Sequence, residues 1–114
     1  MSNVIDLTQE NFNELVADVS KANPKQLMVV DCWATWCMPC KMLKPVFEKA
    51  SEKYVDNPNV SFFSLEISEA ADICTEYSVK GVPTIMFLKN NIRVDSLVGM
   101  QKQDAIEAKI TSLS

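Results

Sequence analysis

The hydrophobic pattern of the chain predicts five short strands. The run Leu27 to Trp33 is apolar except for Asp31. A strand that is apolar on both faces is typical of the centre of a sheet covered by helices on each side. Residues 3–6 predict a short strand before it. Three later strands are predicted from β-favouring runs at Val60 to Ile67, Thr84 to Lys89 and Ile92 to Val98.

Other segments have apolar residues at the spacing of an amphipathic helix. The first begins at Thr8, a residue type that caps helix amino termini, and ends at Asn23–Pro24, because the residue before proline disfavours helical geometry. The second opens at Cys37, continues through Pro45 with a kink, and ends before Asn57–Pro58. These two helices flank the central strand in sequence.

The carboxyl-terminal half predicts two further helices and a hairpin. A shorter helix is capped by Ser68, and the closing helix begins near Lys102. Strands linked through helices are predicted to be parallel, whereas Asn90–Asn91 predicts an antiparallel hairpin, because asparagine tolerates a positive φ. The order is βαβαβαββα, and residues 1–114 are expected to form a single α/β domain.

Charge and composition remove several classes of function. The net charge of −4 argues against nucleic-acid binding, which depends on clustered Lys and Arg. The sequence contains no histidine, which excludes a Cys-His protease, a Ser-His-Asp hydrolase and a His-ligated metal site. Neither a signal peptide nor an apolar run of about 18 residues is recognisable. A cytoplasmic location is expected, where cysteines are more often catalytic or metal-binding than structural.

Two of the four cysteines, Cys37 and Cys40, lie where a strand gives way to a helix. The first of them meets the unpaired N–H groups and the positive dipole end of that helix, which favour thiolate over thiol. Alternatives are a structural disulfide or half of a zinc site. Zinc needs four ligands, however, and Cys32 and Cys74 are isolated in apolar surroundings, where we interpret them as small buried hydrophobic residues.

A set of motifs surrounds this cysteine pair: Val30-Asp31-Cys32-Trp33-Ala34-Thr35-Trp36-Cys37-Met38-Pro39-Cys40-Lys41, then Pro45, Val82-Pro83-Thr84 and Gly99. Together they resemble the thioredoxin family over nearly the whole chain. The resemblance implies a thioredoxin fold, with a five-stranded mixed sheet flanked by four helices, and a dithiol that reduces disulfides in other proteins. It implies no metal and no bound cofactor, since reducing equivalents come from NADPH through a separate thioredoxin reductase. The implied partners are disulfide-containing proteins, thioredoxin reductase and peroxiredoxins, and the implied state is a monomer that binds neither nucleic acid nor membrane.

The resemblance also assigns roles by position. Cys37 corresponds to the attacking thiol, Cys40 to the resolving thiol, and Pro83 to the family's cis-proline beside the dithiol. The expected substrate groove offers backbone pairing to an extended segment. Its residues are Trp36, Met38, Pro39, Val82, Pro83, Gly99 and Met100.

Asp31 is the candidate general base, because burial in a strand raises the pKa of a carboxyl towards neutrality. It would accept the proton of Cys40 during the resolving step. The alternative is a buried carboxyl that hydrogen bonds or water merely satisfy.

Four positions depart from the family pattern, and the first is Cys32, which replaces the usual bulky aromatic residue beside Asp31. Met38 stands where glycine is usual, which leaves the reduction potential and the choice of partner open. Ser64 stands where many members have a lysine that pairs with the buried aspartate, so Asp31 should be easier to keep protonated. Asn91 stands at the usual hairpin glycine. A disulfide isomerase or oxidase module, and a non-catalytic adaptor that uses Trp36, Val82 and Gly99, remain alternatives to a reductase.

Overall fold

The computed structural model describes residues 3–12, 14 and 26–114, which contain one five-stranded mixed sheet. The predicted bounds of three strands are confirmed, and those of the other two differ by one residue. In chain order the elements are β1 (Val4–Leu7), β2 (Leu27–Trp33), α1 (Met38–Glu52), β3 (Val60–Glu66), α2 (Ala71–Glu76), β4 (Thr84–Lys89), β5 (Ile92–Val98) and α3 (Gln103–Leu113).

The first predicted helix falls mostly outside the described residues, including its end at Asn23–Pro24. Its predicted cap is present, because Thr8 Oγ1 accepts a hydrogen bond from Asn11 N–H at 3.1 Å and Asn11 Oδ1 accepts one from Thr8 N–H at 2.7 Å. This reciprocal pair has the arrangement of a capping box. The helix count implied by the family is therefore tested only for the other three helices, and all three are present.

The predicted cap of the third helix is wrong. Ser68 lies within a single turn of 3₁₀ helix (Ile67–Glu69), and its N–H donates to the Glu66 carboxylate at 3.1 Å. α2 then starts at Ala71 with no side-chain cap. The carboxylate of Glu66 stabilises the turn because it accepts the free N–H group there. None of the helices in the described ranges is long and apolar enough to cross a membrane.

The strand order is β1-β3-β2-β4-β5, and β1 and β2 both pair parallel with β3. β4 pairs antiparallel with β2, so the prediction that all helix-linked strands are parallel is wrong for the β3–α2–β4 connection. A parallel β4 would require the chain to return along the whole of β3, which is about 23 Å long. The six residues of α2 span only about 9 Å, and the rest of the connection does not run back along β3, so β4 starts at the end of the sheet where β3 ends.

The hairpin between β4 and β5 has the predicted turn. Asn90 and Asn91 have φ angles of 50° and 66°, and the two strands pair antiparallel. Arg93 Nη1 donates to the carbonyl of Tyr77 at 2.6 Å, which joins the hairpin to the end of α2.

The three central strands β3, β2 and β4 are buried on both faces, as the apolar pattern of β2 predicts. Successive side chains of a strand point to opposite faces, so Leu27 and Val29 pack under α1 and α3, while Met28 and Val30 pack under α2. On the α1 side, Phe47 meets Phe62 of β3 edge to face, with ring centroids 5.6 Å apart. This contact fixes α1, and with it the cysteine pair, against the sheet.

We expect Phe47→Ala to lower the free energy of unfolding by about 3–5 kcal/mol, because it leaves a cavity at a side chain that is 1% exposed. Urea denaturation of the oxidised protein measures the loss. The control is Val55→Ala at a side chain that is 62% exposed, where the change should stay within about 0.5 kcal/mol. A loss below about 1 kcal/mol for Phe47→Ala would show that α1 is anchored elsewhere.

Candidate active site

Three segments converge at the end of the sheet where the carboxyl end of β2 lies. Cys32 lies opposite Thr84, so β4 starts beside the end of β2. Thr84 also lies opposite Val98 at the end of β5. The segments that follow β2, precede β4 and follow β5 are therefore neighbours, and they contain most of the predicted site residues.

Cys37 and Cys40 form a disulfide at the start of α1, with their Cα atoms 5.3 Å apart. Cys37 is the N-cap of the helix, and its Sγ accepts the Cys40 N–H at 3.3 Å. Both residues are buried together with Ala34, and we call these three residues the dithiol cluster. A sulfur that caps a helix amino terminus receives an N–H group and the positive dipole end, which stabilise a thiolate when the disulfide is open.

The loop before β4 lies against the dithiol cluster. Val82 packs on the cluster, and the Val82–Pro83 peptide bond is cis, as the family resemblance implies. Gly99 donates its N–H to the Pro83 carbonyl at 2.9 Å. The φ of Gly99 is 85°, a conformation that favours glycine because a Cβ atom there is strained. Val82, Pro83 and Gly99 therefore form a continuous backbone surface beside the disulfide.

Large apolar side chains next to this surface face solvent. Trp36 is 74% exposed, Met38 64% and Met100 47%, and Pro39 is exposed as well. Met42, one helical turn after Met38, is 59% exposed and was not among the predicted groove residues. Exposed apolar side chains that lie close together are typical of a protein-contact surface.

Asp31 lies in the layer between β2 and α1. It shares the strand face of Leu27 and Val29, against which α1 packs, and Cys40 lies on the buried side of that helix. Asp31 is 3% exposed, and its Oδ1 has no hydrogen-bond partner among the described residues. Burial raises the pKa of Asp31 from 3.8 to about 7, although the charge of Lys44 opposes the rise. This carboxyl is therefore able to exchange a proton near neutral pH.

Lys44 is the residue of this region that the sequence did not single out. It borders a cavity of about 210 Å³ that Asp31 also lines. Its spacing is the missed signal, because Lys44 lies four residues after Cys40 and therefore on the same side of α1. The raised pKa of Asp31 agrees with the expectation from Ser64, and the positive charge that opposes the rise comes from Lys44 of α1.

Trp33 and Ser64 connect the cavity to the strands. Ser64 lies directly opposite Asp31 in the parallel pairing of β2 with β3. The indole N–H of Trp33 donates to Ser64 Oγ at 2.8 Å, and the Lys44 ammonium lies 5.4 Å from the Trp33 ring centroid. Trp33 is half-buried and connects β3 to Lys44.

The remaining cysteines are separate from this site. Cys32 and Cys74 are unpaired, and Cys32 is fully buried in the core under α2. Burial raises the pKa of both thiols, which disfavours the reactive thiolate. Within residues 3–12, 14 and 26–114, no group of three or more Cys, Asp or Glu residues could hold a metal ion.

The fold and the disulfide together define a class of protein. A cysteine pair that caps a helix, with an unpaired buried carboxyl behind it and an exposed backbone surface beside it, can open and close a disulfide. The chain is a thiol–disulfide oxidoreductase.

Comparison with known proteins identifies the family. The thioredoxin family model matches residues 3–112. The thioredoxin of Ophiophagus hannah is 42% identical over 98 residues, which cover 86% of this chain and 90% of that protein. The thioredoxin of Equus caballus is 43% identical over 89 residues, covering 78% and 81%. The chain belongs to the thioredoxin family, whose members are protein-disulfide reductases.

A solved structure supports the assignment. The crystal structure of Malassezia sympodialis thioredoxin (Mala s 13) aligns with a TM-score of 0.76 and 32% sequence identity, over 98% of this chain and 91% of that one. Its similarity therefore extends over nearly the whole molecule.

We expect Asp31→Asn to stabilise the oxidised protein at neutral and higher pH. Between about pH 3.8 and 7 the unfolded state has lost the Asp31 proton while the folded state keeps it, so the free energy of unfolding falls as the pH rises. The whole interval corresponds to about 4 kcal/mol. Denaturation at several pH values should show the variant more stable than wild type by up to this amount at about pH 8. The difference should vanish below about pH 4, and equal stability at every pH would contradict a raised pKa.

Proposed function

We propose that the protein reduces disulfides in other proteins, with Cys37 as the attacking thiol and Cys40 as the resolving thiol. The observation that carries the assignment is the position of Cys37 as the N-cap of α1, with its sulfur accepting an N–H group. The Cys37 thiolate attacks one sulfur of the substrate disulfide, forms a mixed disulfide and releases a substrate thiolate, which takes up a proton. Cys40 then attacks Cys37 Sγ, closes the Cys37–Cys40 disulfide and releases the second substrate thiolate. Two electrons pass to the substrate.

Asp31 acts as the general base of the second step. Cys40 is buried, which disfavours its thiolate, so its proton needs an acceptor before it can attack. Asp31 lies in the same layer between β2 and α1, and its pKa of about 7 places a useful fraction in the carboxylate form at neutral pH. Among the described residues, no other Asp or Glu side chain is buried.

The substrate lies along the surface that Val82, Pro83 and Gly99 form beside the disulfide. An extended peptide segment pairs with the backbone there, since Val82 packs on the dithiol cluster and so lies beside the disulfide. Trp36, Met38, Pro39 and Met100 contribute apolar contacts. Flexible methionines suit partners of varied shape.

Family membership supports a wider cycle. The oxidised protein is reduced again by a thioredoxin reductase with electrons from NADPH, and its substrates include peroxiredoxins. We propose a cytoplasmic monomer in which residues 1–114 form one domain. The absence of histidine is compatible with this cycle, because thiol–disulfide exchange requires only the sulfur atoms and a proton acceptor.

We expect Cys40→Ser to accumulate a mixed disulfide with insulin, because the variant attacks the substrate and cannot resolve. Cys37→Ser is the matched control and should form none. Non-reducing electrophoresis and mass spectrometry detect the adduct. Wild-type protein should reduce insulin catalytically with dithiothreitol. A folded wild type that fails to do so would favour the adaptor, whereas a reduction potential well above that of glutathione would favour an oxidase or isomerase.

We expect Asp31→Asn to slow the decay of the mixed disulfide by about tenfold or more at neutral pH, because Cys40 loses its proton acceptor. In wild type the decay rate should rise with pH around a midpoint near 7, since the carboxylate is the active form. Stopped-flow Trp fluorescence over a pH series follows the step. A wild-type rate for Asp31→Asn across neutral pH would remove Asp31 from the mechanism.

A further inference from the structure

The cavity beside Asp31 lies between α1 and the sheet. Its volume is about 210 Å³, which is room for several water molecules. Buried Asp31 forms part of its wall, and so do the exposed residues Asp6 and Lys44. The cavity therefore connects a carboxyl that is 3% exposed with side chains that reach solvent.

Lys44 is held at this cavity by contacts with its neighbours. Its ammonium group lies 5.4 Å from the centre of the Trp33 ring, within the range of a cation–π interaction. Trp33 is fixed in turn by its 2.8 Å hydrogen bond to Ser64 Oγ. Ser64 borders the cavity and lies opposite Asp31 across the two strands. The positive charge of Lys44 is thus positioned by the same strand pair that carries Asp31.

The other charged groups that face the cavity are acidic. Asp6 enters from β1 and Glu48 from α1, one turn after Lys44. Ser64 of β3 is uncharged, and the residue of β4 opposite Asp31 is Ile85. Both acidic side chains oppose a negative charge on Asp31, and among the described residues Lys44 is the one cation in the cavity wall.

We propose that Lys44 is the positioning residue that governs the release of the Asp31 proton to solvent through this cavity. The proposal rests on the role of Asp31 as the base for Cys40. After Asp31 has accepted the Cys40 proton, it must lose that proton to water before the next cycle. The Lys44 ammonium favours the carboxylate that this loss leaves behind. The positive charge of Lys44 also lowers the pKa of Asp31, opposing the rise that burial causes.

The direct test is the titration of the Asp31 carboxyl carbon by NMR in the oxidised protein. Lys44→Met should raise the midpoint by about half a unit or more, because a positive charge near the carboxyl is lost. Lys44→Arg should keep the wild-type midpoint, since the charge remains. The matched control is Lys49→Met, on the same helix but bordering a separate groove with Pro45 and Met100. An unchanged midpoint in Lys44→Met overturns the proposal.

A second measurement separates this proposal from the role of Asp31. At neutral pH, Lys44→Met should slow the decay of the mixed disulfide about twofold, because a half-unit rise from about 7 lowers the carboxylate fraction from about one half to about one quarter. The difference should disappear at a pH above both midpoints. In an Asp31→Asn background Lys44→Met should have no further effect. An equal slowing in that background would overturn the proposal, because Lys44 would then act without Asp31.

The two proposals fail in different ways. If the NMR midpoint moves and the decay rate does not, the assignment of Asp31 as the base is wrong, while the control of Asp31 by Lys44 stands. If Asp31→Asn slows the decay and Lys44→Met leaves the midpoint in place, the base is correct and the role of Lys44 is wrong. Lys44 is exposed, so the variants are expected to fold, and unfolding curves check this.

Discussion

The antiparallel pairing of β4 with β2 is the constraint on which the site depends. Because β4 starts where β2 ends, the loop that contains Val82 and Pro83 lies beside the helix start that carries Cys37. A parallel β4 would place that loop at the opposite edge of the sheet, about 20 Å away. β5 pairs antiparallel with β4 and therefore ends beside the start of β4. The Gly99 N–H donates to the Pro83 carbonyl at 2.9 Å as a result. The loop before β4 is thus as important for the site as the cysteine motif, because it places Val82 against the dithiol cluster.

Local features of the sequence predicted most elements but not how they pair. The strand bounds of β2, β4 and β5 follow from apolar runs and turn residues, and Asn90–Asn91 adopts the positive φ that its composition allows. The direction of β4 was predicted wrongly, because the spacing of hydrophobic residues along a strand does not show which strand it pairs with. The predicted cap at Ser68 was wrong because Ser68 lies inside a 3₁₀ turn, where its hydroxyl and its N–H both donate to the Glu66 carboxylate.

Within the site, the sequence identified the cysteine pair, Asp31 and the Val82–Pro83 segment but missed Lys44. Cys37 and Cys40 belong to one helix turn, so their spacing alone brings them together. Lys44 borders the same cavity as Asp31 only because α1 packs on the sheet. The same packing buries Asp31, at a free-energy cost of about 4 kcal/mol at neutral pH. Since native domains are stable by about 5–15 kcal/mol, such a group persists where its chemistry is needed.

The cation that acts on Asp31 belongs to α1 and not to β3. Ser64 of β3 lies directly opposite Asp31 and is uncharged, and its hydroxyl accepts the Trp33 N–H. Trp33 then lies under the ammonium of Lys44, which borders the cavity from the helix. A carboxyl responds to the distance and solvation of a nearby charge, and the strand or helix that supplies the charge makes no difference. The buried Asp31 therefore keeps a cation within its field, although the position that resemblance assigns to that cation is uncharged.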